Sequence, residues 1–134
     1  MPPLPIGLAA LAYIFTAFTS AAAPAPVETY VDAPGPSGPL KGTMLTPGGI
    51  PAPPVVLIIP GSGPTDRDGN SGLGVKASTY RLLAEALAER GIASARTDKR
   101  GMFASPGAVA NPNHVTISDY AADAHMSVRS SASK

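Results

Sequence analysis

The sequence has 134 residues, enough for one ordinary domain, and its 10 Lys and Arg residues nearly balance 9 Asp and Glu residues. A nucleic-acid-binding protein normally has a basic excess or stripe, and a net charge of +1 gives neither. The absence of cysteine excludes a disulfide framework, a thiolate metal site and a cysteine nucleophile. Glycine and proline make up 30 residues, somewhat below the proportion typical of low-complexity disorder. We therefore expect a small α/β or α+β protein without a nucleic-acid partner.

Residues 1–23 are predicted to be a secretory signal peptide. An uncharged apolar stretch, Ile6 to Phe18, precedes the small residues Thr19–Ala23, which is the order of a signal sequence and its cleavage site. An uncleaved membrane anchor is one alternative, since about 20 apolar residues can span a bilayer, and a wrongly assigned start codon is another. Cleavage after Ala23 would leave residues 24–134 as one exported domain, periplasmic or secreted, with no contact to the membrane.

Two short stretches with alternating apolar residues, Val27–Val31 and Leu40–Leu45, predict β-strands. The segment Ala33–Pro39 between them is either a hairpin loop or a linker. Because proline is tolerated beside edge strands but not in central ones, we expect both to be antiparallel edge strands.

The β-branched run Val55–Ile59 predicts a parallel strand that is buried on both faces. It leads into a polar loop that begins Gly61-Ser62-Gly63, at the strand end where open α/β sheets bind ligands. Backbone N–H groups at glycines can approach a ligand oxygen closely and stabilise a developing oxyanion. The alternative is an ordinary Gly-Pro turn without a function.

The segment Ser78–Arg90 predicts a helix whose first residue is the N-cap and whose buried stripe is formed by Leu83 and Leu87, flanked by Tyr80, Ala84 and Ala88. Gly91 can take the left-handed position that ends the helix, and Ile92–Thr97 then forms a second strand. Strand, loop, helix and strand together predict a parallel βαβ unit.

The loop before this helix is expected to be structural. Asp66 and Asp68 are predicted to cap turns, with Arg67 paired to one of them. Calcium binding is a weaker alternative, because Ser71 and Ala77 stand where a calcium loop requires Gly and Glu. The glycine spacing fits neither a dinucleotide fingerprint nor a phosphate loop, so no cofactor is predicted.

The C-terminal region contains a predicted helix that opens with Thr116-Ile117-Ser118-Asp119, which has the spacing of a capping box. From Ser127 onward neither helical nor strand periodicity is present. His114 and His125 match no short zinc spacing and are expected to be surface residues, so no metal site is predicted.

The motif Asp98-Lys99-Arg100-Gly101 follows the second strand of the βαβ unit. Its aspartate could be a functional acid, or Asp98 and Arg100 could form a buried ion pair that fixes the loop. A nucleophile elbow, G-x-S-x-G, occurs nowhere in the sequence.

Three segments resemble the α/β-hydrolase family in wording and in order: residues 55–70 (VVLIIPGSGPTDRDGN), 80–101 (YRLLAEALAERGIASARTDKRG) and 116–124 (TISDYAADA). The likeness is to an exported or cytoplasmic branch of serine hydrolases with esterase-like and peptidase-like members. It implies the N-terminal portion of an α/β-hydrolase fold, in which antiparallel edge strands precede the parallel βαβ unit. It also implies that Gly61, Ser62 and Gly63 form the oxyanion loop, with the Ser62 N–H as the donor.

The same resemblance covers the loop that begins at Asp98, which the family writes D-x-R-G-x-G-x-S. Asp98, Arg100, Gly101 and Ser105 match this structural motif, whereas Phe103 stands at the second glycine.

In that family the nucleophilic serine, the acid and the histidine follow the segments that match here. The resemblance therefore implies a truncated hydrolase domain over residues 24–134, inactive alone and of marginal stability. An ester or amide would be its small-molecule substrate only in the full-length domain. The alternative is a secreted, non-catalytic binding or complementation module.

Overall fold

The computed structural model describes residues 22–35 and 37–132. Nearly all of the predicted signal peptide lies outside these residues. Within the described ranges no helix is both long and apolar enough to cross a membrane. The regular elements are strands β1 (Val27–Ala33), β2 (Leu40–Thr46), β3 (Val55–Ile58) and β4 (Ala93–Thr97), helices α1 (Thr79–Ala88) and α2 (Ile117–Ala132), and two 3-10 turns (Pro106–Ala108 and Pro112–His114).

The four strands form one mixed sheet in the order β1-β2-β4-β3. β2 pairs antiparallel with β1 and with β4, whereas β3 and β4 are parallel and are joined through α1. This arrangement confirms the predicted fold class, since antiparallel strands precede a parallel βαβ unit as in the N-terminal portion of an α/β-hydrolase fold. The segment between β1 and β2 is the loop of a hairpin. β2 was expected at an edge but lies inside the sheet, because its flanking prolines, Pro39 and Pro47, fall outside the paired residues.

β3 was expected to be buried on both faces, and the structure contradicts this. Val55 and Val56 are 37% and 40% exposed, and Ile58 alone of the four β3 residues is buried. The reason is the position of β3 at an edge of the described sheet, where one side has β4 and the other has no strand. Of the two parallel strands, β4 is the inner one, and it is short and rich in alanine and serine.

Arg96 lies in the middle of β4 with only 1% of its surface exposed. Its guanidinium reaches Asp68 at 3.1 Å and Glu28, on β1, at 3.4 Å. The buried space beside β4 at this position is therefore filled by an arginine paired with two carboxylates, and not by a large aliphatic side chain.

Helix α1 buries the alanines of the predicted stripe, and Leu83 alone of the stripe is exposed. Ala84 and Ala88 pack with Leu45 and Ile58, with Tyr80 and Leu87 partly buried against the same cluster, whereas Leu83 is 47% exposed. The predicted N-cap, Ser78, occupies the cap position without a capping hydrogen bond from its side chain. Its φ of 49° is left-handed, and its hydroxyl bonds the Asn70 side chain instead. Gly91 takes the left-handed conformation (φ 77°) that was predicted for it.

Helix α2 begins with the predicted capping box. The Asp119 N–H donates to Thr116 Oγ1 (3.2 Å), and the Thr116 N–H donates to Asp119 Oδ2 (2.8 Å). These bonds from the Thr116 backbone and hydroxyl lower the pKa of Asp119. The helix continues to Ala132, beyond the residue at which the sequence periodicity ends, and Ser127 is buried. Helix continuation here needs no apolar repeat once the first turn is capped and docked.

The two helices lie on opposite faces of the sheet. Neighbouring residues of a strand point to opposite faces, so Leu57 and Ile58 separate the two layers. Ile58 packs with α1, whereas Leu57 lines a cavity whose other wall is α2. The described residues thus form three layers, helix, sheet and helix, with the cavity on the α2 side.

Candidate functional site

A cavity of about 370 Å³ opens at the carboxyl end of β3, between the sheet and α2. Its floor is apolar and includes Leu40, Leu57 and Ile59. Its polar groups come from three places: the loop Gly61–Gly63 (called the oxyanion loop below after its predicted role), Lys99 after β4, and residues of α2 including Asp123. The predicted oxyanion loop therefore borders a space large enough for a small organic ligand.

The oxyanion loop leaves two backbone donors available. The Gly61 N–H donates to the Tyr80 hydroxyl oxygen at 3.1 Å, so it is already used. Within the described part of the chain, the N–H groups of Ser62 and Gly63 donate to no protein acceptor. Gly63 has φ +78° with open space where a Cβ would be, so glycine is needed there for its backbone conformation and not for room. The loop is thus built with Ser62 and Gly63 as its free donors.

Lys99 holds the oxyanion loop from the side of β4. Its ammonium donates to the carbonyl of Gly61 at 2.7 Å and also to the carbonyl of Gly63. Burial lowers the pKa of Lys99. No local signal in the sequence indicates a role for this lysine, because 38 residues separate it from Gly61.

Asp98 is structural, but its partner is not the predicted one. Its carboxylate, 4% exposed, accepts from the backbone N–H of Arg67 (2.8 Å), from the Arg67 guanidinium (3.3 Å) and from the Ala104 N–H (3.3 Å). The predicted Asp98–Arg100 pair is therefore wrong. Asp98 does not line the cavity, and it joins the loop after β3 to the loop after β4.

Arg100 pairs with Asp123 of α2. The Nε donates to Asp123 Oδ2 at 2.8 Å and a terminal nitrogen donates to Oδ1, with 3% and 8% of the two side chains exposed. The hydrogen bonds to Asp123 raise the pKa of Arg100. The three residues after β4 consequently contact three different parts of the structure. Asp98 contacts the loop after β3, Lys99 contacts the oxyanion loop, and Arg100 contacts helix α2.

The rest of the predicted motif closes this loop. Gly101 is left-handed (φ 74°) and its N–H donates to the Ser105 carbonyl at 2.8 Å. The Ser105 hydroxyl donates to the Asp98 carbonyl (3.1 Å) and accepts from the Lys41 N–H of β2 (2.9 Å). Ser105, which the motif singles out, is therefore a buried link between the loop and the sheet.

Phe103 stands where the motif has its second glycine, and its φ of 48° is left-handed. Because a Cβ in this conformation costs about 1–2 kcal/mol, Phe103→Gly should be more stable than Phe103→Ala by about 1 kcal/mol. Both variants lose the ring, so the difference in urea unfolding free energy reports the backbone alone. At Lys76, which has no positive φ, we expect Lys76→Gly to be less stable than Lys76→Ala, because glycine there only adds backbone flexibility. Equal stability of the two Phe103 variants would contradict backbone strain at this residue.

The acidic loop after the oxyanion loop is held by its own hydrogen bonds. Asp66 Oδ1 accepts from the N–H groups of Asp68 (2.9 Å) and Asn70 (2.8 Å), so Asp66 caps a turn as predicted. Asp68 instead pairs with Arg96, and Arg67 with Asp98, so the predicted pairing of Arg67 within the loop is wrong. The described residues contain no cluster of three or more metal-ligating side chains. His114 and His125 are both exposed.

Comparisons with known proteins give one structural likeness to report. No family model matches the sequence, and no curated protein matches it. The crystal structure of an α/β serine hydrolase without lid from Xanthomonas campestris is similar, with a TM-score of 0.48 and 22% sequence identity. The match covers 79% of this chain and 43% of that one. Since the chain spans less than half the length of that hydrolase, the activity of a whole hydrolase is a proposal here.

Proposed function

We propose that this chain supplies the oxyanion-binding part of a serine hydrolase that acts on esters or amides. The observation that carries the proposal is the unpaired N–H of Ser62 beside a cavity, in a loop whose neighbouring N–H is already bonded to Tyr80. Acyl transfer through a serine builds negative charge on the former carbonyl oxygen. Backbone N–H groups held in place before the reaction stabilise that charge without reorganising.

The described residues provide this stabilisation and not the attacking group. The sequence contains no G-x-S-x-G elbow. Ser105 is buried and bonded on both sides, and Asp98 is fully used by backbone and guanidinium donors. We propose that the nucleophile, its base and the orienting acid come from protein outside the 134 residues, and that the chain alone does not turn over substrate.

A second candidate function is a non-catalytic binding or complementation module. The exposed edge of β3, with Val55 and Val56 partly open, favours it, because an unpaired strand edge can accept another strand. From residues 1–23 we further propose export, either with cleavage after Ala23 or with retention as an anchor. The mass of the chain recovered from the extracytoplasmic fraction distinguishes the two.

Binding of a tetrahedral anion tests the oxyanion site without requiring turnover. We expect phenylphosphonate, titrated into ¹⁵N-labelled chain, to shift the amide signals of Ser62 and Gly63 and to leave those of Gly72 and Gly74 unchanged. Ser62→Ala keeps the N–H and should bind as the original does, whereas Ser62→Pro removes the N–H and should weaken binding by about tenfold. Binding that depends on the hydroxyl, or no shift at Ser62, would refute the proposal.

Turnover assays test the second half of the proposal. With a p-nitrophenyl ester and an aminoacyl anilide, the isolated chain should release no product above a heat-denatured sample. Product release that a serine-directed phosphonate ester abolishes would show that the chain carries its own nucleophile. The coding DNA beyond codon 134 supplies an independent check, because a G-x-S-x-G sequence there in any frame would identify the missing elbow.

A further inference from the structure

We propose that Lys99 is a positioning residue that aims and polarises the Ser62 N–H through the Gly61 carbonyl. The proposal rests on the oxyanion role given above to Ser62. Nothing in the sequence motif assigns this task to the lysine. It follows from the contacts of one peptide unit and from the position of that unit at the cavity.

The direction of the Ser62 N–H is set by the Gly61 carbonyl, because both belong to the same peptide plane. The described backbone has no cis peptide bonds, so the C=O and the N–H of this unit point in opposite directions. The carbonyl points at the Lys99 ammonium, 2.7 Å away. The N–H consequently points away from the lysine.

The peptide unit is held at several points. On the preceding side, the Gly61 N–H is bonded to Tyr80 of α1. On the following side, the Gly63 carbonyl accepts from Lys99 and from the Thr65 N–H at 2.9 Å. An ammonium has three donors and no acceptor, so two of its protons can serve the two carbonyls at once. Glycine on both sides of Ser62 gives the backbone freedom that these contacts remove.

The charge of Lys99 also strengthens the donor. A carbonyl that accepts from a cation is polarised, and in a chain of hydrogen bonds this makes the N–H of the same peptide a better donor. Lys99 is only partly buried, and this burial lowers its pKa. Although Lys99 also lines the cavity, the proposed action of its charge on a bound oxyanion runs through the Gly61–Ser62 peptide.

The test compares Lys99→Met and Lys99→Arg with Lys76→Met, an exposed lysine remote from the cavity lining. In Lys99→Met we expect the backbone order parameters of residues 61–63 to fall from about 0.85 to below about 0.6. Phenylphosphonate affinity should fall roughly tenfold, as for one charge-assisted hydrogen bond. Lys99→Arg, which keeps the charge and several donors, should restore both within about threefold. Lys76→Met should change neither.

Two results would overturn the proposal. One is a Lys99→Met chain whose oxyanion loop stays as ordered as before. The other is weaker anion binding with an unchanged loop, which would mean that the charge acts directly. If the original chain binds no phosphonate but Lys99→Met still loosens residues 61–63, the positioning stands and the hydrolase proposal fails. Lys99→Gln repeats the measurement if the methionine variant does not fold.

Discussion

Replacing Arg100 with methionine is expected to lower the free energy of unfolding by about 3–5 kcal/mol, because Asp123 would be left buried without its partner. Both side chains are almost fully enclosed, and two hydrogen bonds join them. The pair connects the loop after β4 to α2, so its loss also undocks the helix that forms one wall of the cavity. Urea denaturation followed by far-UV circular dichroism measures the change.

An exposed ion pair provides the matched control. Arg81 and Glu85, one helical turn apart on α1, are 59% and 46% exposed, so Arg81→Met should leave the free energy of unfolding almost unchanged. The double variant Arg100→Met, Asp123→Leu should recover much of the loss, since it leaves no unpaired charge. A single Arg100→Met variant within about 1 kcal/mol of the original would contradict the assignment of this pair as a structural anchor.

Asp98→Ala is expected to cost about 2–4 kcal/mol, because it removes the acceptor for two backbone N–H groups and one guanidinium. The donors come from Arg67 and Ala104, so two loops lose their common contact. Asp98→Asn retains one oxygen and loses the charge, and it should cost about half as much. Thermal or urea unfolding of both variants gives the comparison.

The control for Asp98 is Asp32, whose carboxylate is 54% exposed and pairs with Lys41 at the surface. Asp32→Ala should change stability by less than about 1 kcal/mol. If Asp98→Ala were as mild, the carboxylate would be free for another role, and the functional-acid interpretation of Asp98 would return.

Short-range signals in the sequence predicted the helices and strands, whereas contacts between residues far apart in the chain form the candidate site. Strand alternation, the left-handed Gly91 and the Thr116–Asp119 capping box are each set within a few residues, so the sequence predicts them well. The partners of Arg67 and Arg100 lie 31 and 23 residues away, and neither charge type nor spacing distinguishes the true partner from a near neighbour. The motif singled out Asp98, Arg100 and Ser105, all of which are buried, without indicating what each of them contacts.

The errors about burial have a single physical source. Periodicity shows that a face is apolar but not which neighbour covers it. Leu83 was predicted to lie in one buried stripe with Ala84 and Ala88, yet only the alanines pack against the sheet and Leu83 is exposed. The run of β-branched residues in β3 predicted a strand covered on both faces. Among the described residues, however, β3 is an edge strand with no neighbour on its outer side, and Val55 and Val56 are partly exposed.

The buried arginine of β4 has a consequence for how the sheet chooses its pairing. A run of alanine and serine offers few large side chains that could tell one alignment of β4 from another. A slip of one residue would turn Arg96 to the opposite face, away from Asp68 and Glu28, and leave a cation without partners in the interior. The cost of an unpaired charge is then a penalty on this one-residue slip. Arg96 thus helps to select the register of β4 as well as to hold the aligned sheet together.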